Sequence, residues 1–96
     1  MILHTIHSSP LDSFALQQCL ALLSANDTLL LIEDGVFASQ ARHPWLVALE
    51  TLSKQGRLRV LSSDLKARGI ENKIGEKCSY SDFVILVAKH TSLMPW

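Results

Sequence analysis

The chain is 96 residues long and 48% hydrophobic, and its nine basic and nine acidic side chains leave a formal charge of zero. That length holds a single domain, the composition excludes disorder, and the missing basic surplus excludes a free-standing nucleic-acid binder. A mean hydropathy of +0.21 gives so short a chain more apolar surface than it can hide alone, so a partner subunit is expected.

Ile2 to Ile6 reads as a first strand, broken by Ser8, Ser9 and Pro10. Asp12 or Ser13 then caps a helix whose buried stripe is Leu16, Cys19, Leu20 and Leu23, and which ends near Asn26. Thr28 to Ile32 is a continuous apolar run of the kind found in strands covered on both faces, stopped by Glu33-Asp34-Gly35. His43-Pro44 opens a second helix with Trp45, Leu49 and Leu52 on its apolar face and Gly56 as its left-handed stop. Leu58 to Leu61 is the third strand. Asp64 to Arg68, capped by Ser62 or Ser63, is a short helix that Gly69 terminates. Ile74 to Ser79 is a weaker fourth strand. Ser79 or Ser81 with Asp82 starts a last helix ending near His90, although Phe83 to Ala88 also suits a buried strand on composition. This alternation predicts an α/β fold of three layers with a mostly parallel sheet.

The longest apolar run, Phe83 to Ala88, falls far short of the roughly 20 residues a bilayer span requires. The first residues lack the basic start of a secretory signal, so a cytosolic protein is expected. Cys19 and Cys78 form no C-x-x-C pair and read as separate free thiols.

A nucleophilic thiol needs exposure and a neighbouring cation or helix N-terminus. Cys19, about two turns into its helix on an apolar stripe, reads as a buried structural residue. Cys78 lies beside Lys77 at a strand end just ahead of a helix start, a better place for chemistry, with packing in the sheet as the plainer alternative. His4 and His7 are spaced to opposite faces of an extended segment, which argues against a metal site and for a role in shaping the strand end. His90 suits a helix C-terminus. Glu33-Asp34 stands where α/β sites gather, yet Asp34-Gly35 is good turn chemistry, with a subunit contact as its further use. Tyr80, Phe83 and Trp96 read as core or interface aromatics, and no glycine-rich phosphate loop is present.

Four strings in order resemble the TusB/DsrH family from end to end. They are Ile2-Leu3-His4-Thr5-Ile6-His7-Ser8-Ser9-Pro10, Leu29-Leu30-Leu31-Ile32-Glu33-Asp34-Gly35-Val36, Asp64-Leu65-Lys66-Ala67-Arg68-Gly69, and Tyr80-Ser81-Asp82-Phe83 followed by Lys89-His90 and Trp96. The resemblance implies a DsrE-like fold with a fifth strand at Ser92 to Trp96, beside the first. It implies the smallest subunit of a cytosolic sulfur-relay heterohexamer, with DsrE/TusD-like and DsrF/TusC-like sister subunits, of which the DsrE/TusD-like one holds the essential relay cysteine. Persulfide sulfur is then the transferred group, no cofactor is expected, and tRNA is met only through the assembly. Cys19 matches a cysteine of the DsrH branch, and Cys78 matches none associated with the family.

The leading expectation is an accessory subunit for 2-thiolation of the tRNA wobble uridine. The alternatives are a DsrH-type subunit of sulfur oxidation with an auxiliary thiol, an independent sulfurtransferase using Cys78 or Cys19, and a small flavodoxin-like ligand-binding protein. The neutral charge also divides by position. Residues 1–53 set one base, Arg42, against five acids, whereas residues 54–77 set seven bases against three acids. This polarity makes Arg57 and Arg59 candidates for an interface, along with Asp34, Gly35 and Trp96.

Overall fold

A computed structural model describes residues 1–40 and 42–96. Its elements run β1 (Ile2–Ile6), α1 (Ala15–Leu22), β2 (Thr28–Leu31), a 3-10 helix (Glu33–Ser39), α2 (Leu46–Lys54), β3 (Leu58–Leu61), α3 (Ser62–Ala67), β4 (Glu76–Cys78), α4 (Tyr80–Lys89) and β5 (Ser92–Pro95). The strands make a five-stranded sheet in the order β4-β3-β2-β1-β5, with every pairing parallel. The fold is the three-layer α/β arrangement that the alternation predicts, and the fifth strand stands beside β1 as the resemblance implies.

Strand order decides the layers. From β1 to β4 each crossover steps the same way, so α1, α2 and α3 share one face. Leu16, Cys19, Leu49, Leu52 and Leu65 accordingly pack there with Ile6, Leu29, Leu31, Leu58 and Val60. The chain then runs back across the sheet to β5, and α4 falls on the opposite face, where Phe83 and Leu86 meet Leu3, Leu30, Leu61 and Cys78. Among the described residues, three α-helices and the 3-10 helix thus cover one face and a single helix the other. No helix among the described residues is long and apolar enough to cross a membrane.

The ends of elements follow local chemistry. Gly56, at φ 71°, stops α2 by donating its amide to Ser53 O while Arg57 N reaches Leu52 O, as the helix-stop pattern predicts. Ser79 and Asp82 form a reciprocal capping box at α4, which resolves residues 83–88 as helix rather than strand. His90 completes α4 with Nδ1 donating to Leu86 O at 2.7 Å, and Thr28 Oγ1 donates to its Nε2 at 2.9 Å.

Several boundaries differ from the sequence pattern. α1 starts at Ala15 behind Phe14, with Ser13 Oγ accepting from Ala15 N and neither Asp12 nor Ser13 serving as the cap. α3 takes in both Ser62 and Ser63, because Ser62 Oγ donates to Cys78 O instead of capping, and β2 ends at Leu31, one residue before Ile32. α1 stops at Leu22, short of Asn26, because Ser24 N donates to the Asp27 carboxylate and Arg57 takes the Ser24 carbonyl, so neither group remains for the helix. α2 begins at Leu46 rather than at His43-Pro44, since the His43 ring accepts from Trp45 N and turns the chain first. β4 keeps only Glu76–Cys78 of the predicted Ile74–Ser79, the register that β3 offers.

The 3-10 helix after β2 presses against β1. Ile32 N donates to Ile6 O, and a Cβ placed on Gly35 would lie 2.0 Å from that same oxygen. Only glycine fits there without moving backbone. Gly35→Ala is expected to cost about 3 kcal/mol or more, measured by urea unfolding against the parent chain.

Candidate functional site

β1 carries the polar centre of the molecule. His4 is 2% exposed on the face of α1 and α2, with Nε2 2.9 Å from Asp27 Oδ2. Asp27, just ahead of β2, also accepts from the Ile2 and Ser24 amides. Burial works to raise its carboxyl, but the hydrogen bonds from His4, Ser24 and Ile2 prevail and hold it down at about 2. Arg57 closes the loop from outside, Nε donating to Asp27 O at 2.8 Å and a second guanidinium nitrogen to Ser24 O. On the far side of the ring, Trp96 Nε1 donates to His4 Nδ1 at 3.1 Å.

In this strand order the direction of crossing reverses between β1 and β5, and the carboxyl ends of strands at such a point are where α/β sheets bind ligands. Thr5 Oγ1 and His7 Nε2 are 2.9 Å apart there, and His7 Nδ1 lies 3.6 Å from the Glu33 carboxylate. Glu33 sits at φ 50°, a strained position for a side-chain-bearing residue, and its amide donates to Asp64 Oδ2 at 2.7 Å. Arg68 holds Asp34 at 2.8 Å and also approaches Asp64. Thr5 is 2% exposed, so this hydroxyl positions His7 rather than meeting a ligand itself.

Both thiols are sealed. Cys19 is fully buried against the α1 face, and burial, helped by the Asp27 charge, pushes it up to about 12. Cys78 is fully buried beneath α4, raised by burial and then by Asp82 and Glu76 against the opposing pull of Arg59. Each remains a protonated thiol at neutral pH, which is not the attacking form in sulfur transfer.

The remaining candidates scatter. Asp34 is exposed and paired with Arg68, Gly35 is buried against β1, and the Arg57 guanidinium is committed to the α1–β2 loop. Arg59, from β3, enters a cleft of about 270 Å³ lined by Glu76, Asp82, Ile85, Leu86 and Lys89, where it pairs with Glu76 at 3.5 Å and its Nε has no partner among the described residues. Trp96 belongs to the His4 network. Sequence spacing does not bring any of these together at one point, and neither does the fold.

The feature that pattern reading passed over is the outer side of α4. Tyr80, Val84, Ile85 and Val87 are all exposed, Val84 by 60% and Ile85 by 51%. An amphipathic surface helix would place polar residues there. Leu93 extends the patch, because it is in register with Leu3, whose side chain lies on the α4 face, and is itself 46% exposed. Leu11, Phe14, Leu22 and Val47 are also exposed, but they are dispersed over loops and two helices of the other face. The signal was present in the sequence, since Phe83 to Ala88 is apolar on every side of a helix that the sheet can touch on only one.

The native chain is expected to resist alkylation by iodoacetamide at pH 8 at both cysteines and to react fully once unfolded in urea, read by intact mass. Asp27→Ala is expected to cost about 3 kcal/mol, because it strands a buried histidine and two amides. Since the folded Asp27 is held below its ordinary value, its stabilisation is complete above the usual carboxylate range and is lost as pH falls through about 2. A thermal-unfolding series from pH 6 to about pH 2 therefore falls more steeply for the parent than for Asp27→Ala.

The family model described as DsrH like protein matches residues 8–93. Protein TusB of Escherichia coli O81 is 40% identical over 99 residues, covering 99% of this chain and 100% of that protein. Protein TusB of Escherichia fergusonii is similar to the same extent, at 40% over 99 residues. A match that runs through both sheet faces, the His4 strand and α4 leaves no segment of the fold unaccounted for, and this chain belongs to the TusB/DsrH family.

Proposed function

We propose that this chain is the small accessory subunit of a cytosolic sulfur-relay assembly of two copies each of three related subunits. Its partners are a DsrE/TusD-like subunit, which holds the relay cysteine, and a DsrF/TusC-like subunit. The assembly passes persulfide sulfur toward the 2-thiouridine of the tRNA wobble position. The TusB name borne by the relatives favours that branch over sulfur oxidation.

The observation that carries this reading is the unpartnered outer side of α4 with Leu93 beside it, an apolar surface that a sister subunit removes from water. The Arg59, Glu76, Asp82 and Lys89 side chains along one flank supply a charged rim of both signs. The two sealed thiols support an accessory rather than a relay role, because persulfide transfer requires an accessible thiolate.

Co-expression with tagged sister subunits tests this. The parent chain is expected to co-purify with them, and Val84→Glu with Val87→Glu is expected to abolish co-purification while leaving the far-UV spectrum of the isolated chain unchanged. A buried, unpaired carboxylate at an interface costs about 3 kcal/mol, more than a hundredfold in affinity. Cellular 2-thiouridine, measured by nucleoside mass spectrometry, falls in the same strain. Undiminished co-purification of the double variant refutes the assigned face, and failure of the parent to co-purify refutes the subunit reading.

A further inference from the structure

His4 stands between two partners that ask for opposite protonation states. Asp27 is ionised at neutral pH and only accepts, so the Nε2 atom 2.9 Å away carries a proton. An indole N–H has no lone pair to offer, so Trp96 Nε1, 3.1 Å from Nδ1, only donates, and Nδ1 is bare. Together the two partners fix one tautomer of the neutral ring. A second proton has a single place to bind, and that is the lone pair Trp96 already uses.

Trp96 in turn anchors an otherwise exposed element. Every residue of β5 from Ser92 to Pro95 is exposed, and the strand has a neighbour on one side only. Beyond the ladder to β1, the Trp96 amide donates to Thr5 O at 2.8 Å and its ring packs against the α1-side core. The bond to His4 gives that ring its one polar tie among the described residues.

We propose that His4 and Trp96 form a proton-released latch on β5. Acidification places a proton on Nδ1, two N–H groups then face each other, and the indole leaves while the His4–Asp27 pair, now fully ionic, keeps the other end of the network closed. The charged or titratable groups around this centre come from several elements. Asp27 ahead of β2 favours the extra charge on His4, and Arg57 ahead of β3, bonded to the Asp27 carbonyl, opposes it. Cys19 of α1 stays an uncharged thiol, and His90 after α4 is occupied by Leu86 O and Thr28 Oγ1. β5 itself brings no titratable side chain. Released in this way, β5 opens from the edge of the sheet more often, without global unfolding.

The chain has two tryptophans, so Trp45→Phe leaves Trp96 as the sole reporter. On stepwise acidification from about pH 8 to about pH 5, its emission is expected to shift to the red and become open to iodide quenching, reversibly and with the far-UV spectrum retained. Amide exchange in β5 should rise about fivefold over the change expected from pH alone, the loss of one hydrogen bond of about 1 kcal/mol. His4→Gln, which does not titrate, removes the transition. If that variant fails to fold, nitrogen NMR of the parent decides instead, since the latch requires the Nε2–H tautomer at neutral pH and loss of the protected Trp96 indole proton in step with protonation of Nδ1. An emission that ignores pH down to about 5 overturns the latch, as does an identical transition in folded His4→Gln or an indole proton that stays protected after Nδ1 is protonated.

Discussion

The Asp27 carboxylate gathers three donors from separate parts of the chain: the Ile2 amide at the start of β1, the Ser24 amide after α1, and the His4 ring in the middle of β1. A buried charge is tolerable only when its lone pairs are used in this way. The consequences spread outward. Drawing Ser24 into the network ends α1 at Leu22, which sets where the chain turns into β2, and β2 in turn fixes the register of both its neighbours. His4 passes the constraint across the sheet to Trp96 and so to β5, giving the edge strand a polar tie that its exposed side chains do not provide. One ion-supported centre thus joins the first strand, the first crossover and the last strand.

The strand order then divides the labour between the two faces. Three consecutive crossovers in one direction place α1, α2 and α3 together, and their side chains close that face. The return to β5 is a single helix, and one helix does not cover five strands. Its inner side seals Cys78 and completes the second core, while its outer side repeats the same hydrophobicity toward water. The excess apolar surface inferred from composition therefore has a definite address. On the proposed reading that address has a meaning, because a subunit of a larger assembly has reason to leave one face unfinished. The arginines of the basic segment are engaged within the chain, Arg57 with the α1–β2 loop, Arg59 with Glu76 and Arg68 with Asp34, which moves attention from the charged stretch to the apolar helix.

Local grammar was legible at several element ends where neighbouring residues carry the cause, though not at the starts of α1 and α3, which no side chain caps. Gly56 and Gly69 take the left-handed conformation that ends α2 and α3, Ser79 and Asp82 cap α4, and Leu58–Leu61 is a strand at the predicted residues. The stripe of Leu16 and Cys19, and that of Leu49 and Leu52, are buried as their spacing requires. Boundaries failed where a distant group intervened, as with Arg57 and Asp27 at the end of α1. The 3-10 helix at Glu33–Ser39 was invisible for a similar reason: it exists because Gly35 lets the chain lie against the Ile6 carbonyl, a contact between segments far apart in sequence.

The sequence by itself therefore determined the fold class, most element types, the excess of apolar surface and the family, because composition, periodicity, capping residues and ordered strings are properties of the chain and its neighbours. Only the tertiary structure decided that the two thiols are sealed, that His4 belongs with Asp27 and Trp96, and that no described residue covers the outer side of α4. Those outcomes depend on which strand lies beside which and on how many helices fall on each face. Crossover direction settles both, and no local run of residues records it.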